Sequence, residues 1–255
     1  KKMIGIIGGM GPSAGLTLHQ KLIDNNEVKK DQDHIPILHT SFSSMITDRT
    51  DFILGKDIQN PMIGALKCIK IMENSLVDTD IDQIIVGIPC NTFHSESILT
   101  PFLFYLNNIP ECDFKFLNMI ELTGNHINEN YNYEKIGLLS TIGTITSNVY
   151  LEQAKKNNFE LVYLNNKIHY KINDAIYNDK WGIKKKSNPI DDNVIEIFNE
   201  CVNEYRKMGV NNIILGCTEL PLIINNSNID INANFIDPVD ILSKHMILDY
   251  YYNEL

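Results

Sequence analysis

One pattern occurs twice in this chain and constrains what it can fold into. A short apolar run, Ile84-Ile85-Val86-Gly87-Ile88, leads into Pro89-Cys90-Asn91-Thr92. A second run, Ile213-Ile214-Leu215-Gly216, leads into Cys217-Thr218-Glu219. Short runs rich in β-branched residues read as strands buried in a parallel sheet. The carboxyl end of such a strand is where open α/β sheets bind ligands. Backbone N–H groups at a following helix start would favour an anion, a thiolate included. A lone cysteine after a strand more often fills core. Two in the same context argue for a two-thiol site.

The rest of the chain supplies the elements such a sheet needs. Met3–Ile7 reads as a strand, followed by a glycine turn, Gly8-Gly9-Met10-Gly11-Pro12, and a helix through Leu22. Strand, glycine turn and helix open a doubly wound α/β domain. Gly9 to Ala14 fits a loose dinucleotide fingerprint. However, the next strand, within residues 35–42, ends without an acid to hold a ribose, and Pro12 removes a donor from the loop. Ser41–Leu54 is polar and reads as a loop carrying Arg49. Helices are expected after Pro61, after Cys90 as far as Tyr105, from Met119, over residues 168–178, from Val194 to the stop at Gly209, and from Pro238 to Tyr252. Strands are expected over 114–117, 135–141 and 159–164 and at Phe235-Ile236, with an Asn-rich loop following the second cysteine run. Lys184-Lys185-Lys186 reads as a solvated run. Cys68 and Cys201 fall on apolar helix faces and are assigned to core.

Bulk properties exclude whole classes of function. The net charge of −10 makes nucleic acid an unsuitable partner. No apolar run reaches the length of a membrane span, and no basic-then-apolar leader opens the chain. Five cysteines, an odd number, fit a reducing compartment and a cytoplasmic location better than a disulfide framework. Cys90 and His94 lack a second pair at metal-ligand spacing, so no metal is expected.

The two halves match. With Gly5 aligned on Gly137, Arg49 and Lys180 follow at nearly equal intervals, and Cys90 and Cys217 follow further on. Each half reads as strand, small-residue turn, helix, basic residue, helix, strand, cysteine. Halves facing each other across a cleft would each offer one thiol and one cation. Moving a proton from one face of a carbon to the other needs an acid and a base on opposite sides. Two thiols meet that need and serve both enantiomers by swapping roles. Backbone N–H groups at Asn91, Thr92 and Thr218 would stabilise an enediolate-like carboxylate. Arg49 and Lys180 would hold a second, side-chain carboxylate by charge-assisted hydrogen bonds.

At these residues the chain resembles the aspartate/glutamate racemase family, which is independent of pyridoxal phosphate, and its aspartate racemase branch above all. The matching pieces are residues 5–12, Asp48-Arg49-Thr50, Pro89-Cys90-Asn91-Thr92-Phe93-His94, Thr141-Ile142-Gly143-Thr144 and Gly216-Cys217-Thr218-Glu219-Leu220-Pro221. The resemblance implies two α/β domains related by a pseudo-two-fold axis, an active site in the cleft between them, and a homodimer. It implies Cys90 and Cys217 as the acid/base pair. Met10, Asn91, Thr92, Thr144, Thr218 and Glu219 would line an acidic amino acid, with Arg49 and Lys180 at its distal carboxylate. No cofactor and no metal are implied. The expected domains are residues 1–113 with 226–255, and 114–225. The expected activity is interconversion of L- and D-aspartate. The alternatives are a broader aspartate/glutamate racemase, a glutamate or hydantoin racemase, or a dicarboxylate-binding module without turnover. The chain departs from the family at Lys180, one residue early after Tyr177, at Phe93 and at Asn148, where glycine is common.

Overall fold

The computed structural model describes residues 1–108, 112–131, 134–224, 229 and 232–252. In chain order, β1 (Lys2–Gly8) leads through Gly9–Gly11 into α1 (Pro12–Asp24), whose first residue is the proline best suited to that place. β2 (Ile37–Ser41), the short α2 (Arg49–Ile53) and α3 (Met62–Asn74) follow. α3 buries Met62, Ala65, Cys68, Ile69 and Met72, the stripe that a 3.6-residue period puts on one face. Next come β3 (Gln83–Gly87), α4 (Glu96–Leu106), β4 (Asp113–Phe116) and α5 (Met119–Asn130). The second half repeats the plan with β5 (Lys135–Ser140), α6 (Ile142–Thr146), α7 (Val149–Lys156), β6 (Glu160–Val162) and α8 (Asn166–Tyr177). It continues with α9 (Asp192–Lys207), β7 (Asn212–Gly216), α10 (Pro221–Ile224) and β8 (Asn234–Ile236). The last helix is α11 (Pro238–Tyr251).

Among the described residues the strands form two four-stranded parallel sheets of identical order, β2-β1-β3-β4 and β6-β5-β7-β8. Each chain segment turns to one side of its first strand and then crosses to the other. The crossing leaves a switch point at the carboxyl ends of β1 and β3 in one sheet and of β5 and β7 in the other, where α/β sheets bind ligands. The registers make the internal repeat exact at the level of the backbone. Gly5 pairs with Val86, and Cys90 is the fourth residue beyond it; Gly137 pairs with Ile213, and Cys217 is the fourth residue beyond that.

The chain divides into two compact units, Lys1–Leu122 with Val239–Leu255, and Thr123–Pro238. These bounds differ from the expected 1–113 with 226–255 and 114–225. The strand at 113–116 pairs with β3 and so stays in the first unit, while the strand at 234–236 pairs with β7 and stays in the second. Strand pairing overrides the expected break after residue 113 and the one in the Asn-rich stretch. Residues 109–111, 225–228 and 230–231 of those stretches lie outside the described residues.

Each unit has its own core. The first joins Ile7, Met10, Ile69, Met72, Ile84, Val86, Phe93 and Phe102; the second joins Leu139, Ile172, Ile176, Phe198, Tyr205, Ile213 and Leu215. Full burial of such a side chain contributes roughly 1.5–3 kcal/mol. Two glycines let backbone close in around the first switch point. Gly9 has φ +92, and a Cβ there would meet the Ser43 backbone at 3.0 Å. A Cβ on Gly64 would meet the Met45 carbonyl oxygen at 2.1 Å, so α3 can seat the segment leading to Arg49 only because residue 64 has no side chain.

Candidate active site

In the first unit Cys90 lies two residues beyond Ile88, with its backbone N–H donating to the Ile88 carbonyl at 2.9 Å. It is 5% exposed and belongs to the same apolar cluster as Met10, which caps the carboxyl end of β1. The turn after it is held by His94, whose Nδ1 is 2.8 Å from the Cys90 carbonyl oxygen and donates to it. Burial pushes the His94 imidazole down to about 4, with the Cys90 carbonyl acting the other way. This ring is therefore neutral near pH 7 and supplies no cation to the sulfur. It packs beside Phe116, with ring centroids 5.8 Å apart. Asn91 and Thr92 are buried in this turn.

The expected single helix after Cys90 is broken in two: a one-turn 3₁₀ helix over Thr92–His94, then α4 from Glu96. Thr218 likewise sits in a turn before the four-residue α10. The aligned N–H groups of a long helix are thus absent at both cysteines, and the helix-start reading of Asn91, Thr92 and Thr218 falls back on individual turn amides. Leu220 N–H, for example, already donates to the Cys217 carbonyl.

Arg49 is not on a loop. It is the first residue of α2, where Asp48 accepts from the Asp51 amide at 2.8 Å as N-cap. α2 packs against the 3₁₀ turn carrying Thr92. Arg49 is only 9% exposed, and its Nη1 donates to the Thr47 carbonyl at 3.2 Å. No apolar period marks it, because a five-residue helix is too short to show one.

In the second unit the cysteine is set differently. Cys217 is 5% exposed, and its Sγ donates to Glu219 Oε2 at 2.9 Å. Glu219 is 1% exposed; its Oε1 accepts from Lys184 Nζ at 2.7 Å, and Thr218 Oγ1 lies 3.4 Å from Oε2. Burial first, then the Glu219 carboxylate, pushes the Cys217 thiol well up from its ordinary value, with Lys184 pulling the other way. Thr144 is buried at the carboxyl end of β5, its amide donating to Thr141 Oγ1 at 3.2 Å, and Asn173 accepts from the Ile142 amide at 2.9 Å. The expected small-residue turn at 142–144 is thus a capped helix. Asn148 adopts φ 57, the left-handed conformation glycine would hold and asparagine tolerates best.

Lys180 does not join this group. It is exposed, and its amide donates to Asn178 Oδ1 at 3.0 Å. The chain turns on Asn178 and folds back, so that the amides of Ile183 and Lys184 donate to the carbonyls of Ala175 and Ile176 at 2.9 and 3.1 Å. That return carries Lys184, not Lys180, to Glu219. Lys184 also lies over the Tyr177 ring, 5.9 Å from its centroid. The reading of Lys184-Lys185-Lys186 as solvated holds for Lys185 and Lys186, which are exposed, and fails for Lys184. A signal was present: an apolar residue, Ile183, stands directly before the basic run, and it is buried. Among the described residues no group of three His, Cys, Asp or Glu side chains is arranged to hold a metal ion.

Comparison with known proteins places these features. The family described as Asp/Glu/hydantoin racemase matches residues 7–246. The fold is similar to that of Picrophilus torridus aspartate racemase, with a TM-score of 0.76 and 25% identity over 100% of this chain and 96% of that one. It is similar to an aspartate racemase homologue from Pyrococcus horikoshii, with a TM-score of 0.65 and 21% identity over 99% and 100%. A glutamate racemase from Francisella tularensis shares the fold at a TM-score of 0.59 and 19% identity, over 98% of this chain and 81% of that one.

Proposed function

The chain belongs to the Asp/Glu/hydantoin racemase family, and from that premise we propose that it racemises acidic amino acids, aspartate foremost, with Cys90 and Cys217 as its two proton carriers. The observation that carries the reading is the matched register of the two cysteines: each is buried, and each lies four residues past the strand position that faces the repeat glycine. The likeness to an aspartate racemase along nearly the full length of both chains supports aspartate over other substrates.

The mechanism asks for one thiol on each face of the substrate's α-carbon. A thiolate removes the α-proton, leaving a carbanion delocalised into the α-carboxylate. The opposite thiol delivers its proton to the other face, and the enzyme ends with the two protonation states exchanged. Amides and side chains of Asn91, Thr92, Thr144 and Thr218 are the candidates to bind the α-carboxylate as its charge grows. Arg49, a buried guanidinium, is the candidate for the distal carboxylate, where a bidentate fork fits best. The proposal assigns no step to a cofactor.

The test is α-proton exchange in D₂O with L-aspartate and L-glutamate, no cofactor being added. Deuterium at the α-carbon together with D-aspartate is the expected result. Exchange of glutamate without aspartate would move the assignment to the glutamate alternative. No exchange of either would leave a binding protein and overturn the proposal.

A further inference from the structure

We propose that Lys184 is a positioning residue for Cys217: through Glu219 it fixes Cys217 as the proton-bearing partner of the resting enzyme, leaving Cys90 as the base. This rests on the two-cysteine reading above and adds the direction in which the site is poised.

The geometry is a three-member relay within one unit. Lys184 Nζ donates to one oxygen of Glu219, and the Cys217 sulfur donates to the other. A sulfur in that place can donate only while it holds its proton. As a thiolate it would face a carboxylate at hydrogen-bond distance, two anions with little water between them, since Glu219 and Cys217 are 1% and 5% exposed. The ammonium makes the arrangement possible: without it, a buried carboxylate would take up a proton rather than stay ionised. A protonated Glu219 would donate to the sulfur instead of accepting from it, and the polarity of the relay would reverse. The charged groups acting on the sulfur are Glu219 and Lys184, with the Tyr177 ring beneath the ammonium and the Thr218 hydroxyl 3.4 Å from the carboxylate oxygen that the sulfur faces; Ile183, Leu220 and Ile223 belong to the apolar cluster that includes Cys217.

Cys90 has no counterpart to this relay among its described hydrogen bonds; its neighbouring histidine bonds the Cys90 backbone carbonyl through Nδ1. In turnover Cys90 thiolate takes the substrate proton and becomes a thiol, while Cys217 gives its proton and becomes a thiolate. That thiolate is the higher-energy state of the pair, because it forms against Glu219 with Lys184 as the compensating charge.

The experiment reads the relay without needing turnover. Alkylation of each cysteine by iodoacetamide is followed by peptide mass spectrometry across pH on the full chain. Cys90 should react at lower pH than Cys217. Glu219→Gln, which keeps the shape and removes the charge, should move the Cys217 profile to lower pH and leave Cys90 in place. Lys184→Met should show a protonated-carboxyl infrared band at neutral pH that disappears in the double variant with Glu219→Gln and is absent from Lys184→Arg. In racemisation, Lys184→Met should lower kcat at least tenfold with KM little changed, and Lys184→Arg should recover part of it. Cys217 reacting before Cys90, a Glu219→Gln profile that does not move, or a Lys184→Met variant whose KM rises while kcat stands would each overturn the proposal; the last would make Lys184 a substrate ligand. If the wild-type protein exchanges no α-proton, the function falls while the alkylation and infrared outcomes still decide the relay.

Discussion

The two cysteine turns share a backbone plan and differ in the ionisable side chain each turn carries. Both follow the third strand of a four-stranded parallel sheet, at the same register from the same glycine. Around Cys90 the ionisable neighbour is His94, which faces the backbone and is held neutral by burial. Around Cys217 it is Glu219, which faces the sulfur and is itself held by a lysine. The repeat supplies equivalent backbone places; the side chains at them make the places chemically unequal. A racemase must carry protons from both faces, yet it needs the two carriers in opposite states before each turnover. In the proposed two-thiol chemistry, unequal surroundings would provide that without a separate control element.

The largest effect should come from removing either sulfur. Cys90→Ala and Cys217→Ala are each expected to lower racemisation of aspartate by roughly a hundred- to ten-thousand-fold, the range of a positioned acid or base, with circular dichroism unchanged. Cys68→Ala and Cys201→Ala should instead cost stability, because both are 0% exposed in the two cores, and leave kcat/KM near wild type. Near-normal turnover from either of the first pair would break the comparison at its root.

Next in size is a pH effect that is largest at the Cys90 turn, with His39 and His169, whose values burial also lowers, adding to it. The folded chain accepts His94 only uncharged, with a value near 4 against 6.5 when exposed. Protons therefore bind the unfolded chain more tightly. The stabilisation is fully present above about pH 6.5 and is lost as pH falls towards about 4, amounting to about 3 kcal/mol at the end of that range. Urea midpoints measured across this window should fall steeply for the wild type. His94→Gln, which keeps an N–H for the Cys90 carbonyl but cannot ionise, should reduce that slope and leave the shares of His39 and His169. An unchanged slope would mean that His94 is reached by water when folded.

The substrate-facing cation gives a smaller change. Arg49→Ala should reduce kcat/KM for aspartate ten- to a hundred-fold, as loss of a charge-assisted contact of about 1.5–3 kcal/mol would. Arg49→Lys should not restore it, since a planar fork becomes a point charge. Wild-type behaviour of Arg49→Ala would leave Arg49 a structural residue of α2.

What the sequence made legible was whatever repeats or runs long. The strand ends, both cysteines and the helical stripe of Met62, Ile69 and Met72 follow from period and duplication. What it hid depends on turns. The five-residue helix at Arg49 is too short to carry a stripe, and the broken helix after Cys90 turns on a buried histidine whose role is local. The domain bounds depend on which sheet edge the short strands at 113–116 and 234–236 choose, and that is a tertiary decision.

The last case is the smallest effect and the sharpest test of how far the repeat can be trusted. Counting from Gly137 puts Lys180 where Arg49 stands after Gly5, and that symmetry suggested a second grip on the substrate. The backbone does not follow the count. After α8 the chain wraps Asn178, which takes up the amides of Lys180 and Trp181 through its side chain, and the returning turn brings Lys184 to the buried glutamate. Lys180 is left in solvent on the outside of that turn. Replacing an exposed side chain away from caps and ion networks changes stability by less than about 0.5 kcal/mol. Lys180→Ala should therefore match the wild type in both Tm and kcat/KM for aspartate, while Lys184→Met does not. A tenfold loss at Lys180 would restore the symmetric pair of cations and require the turn on Asn178 to open when substrate binds.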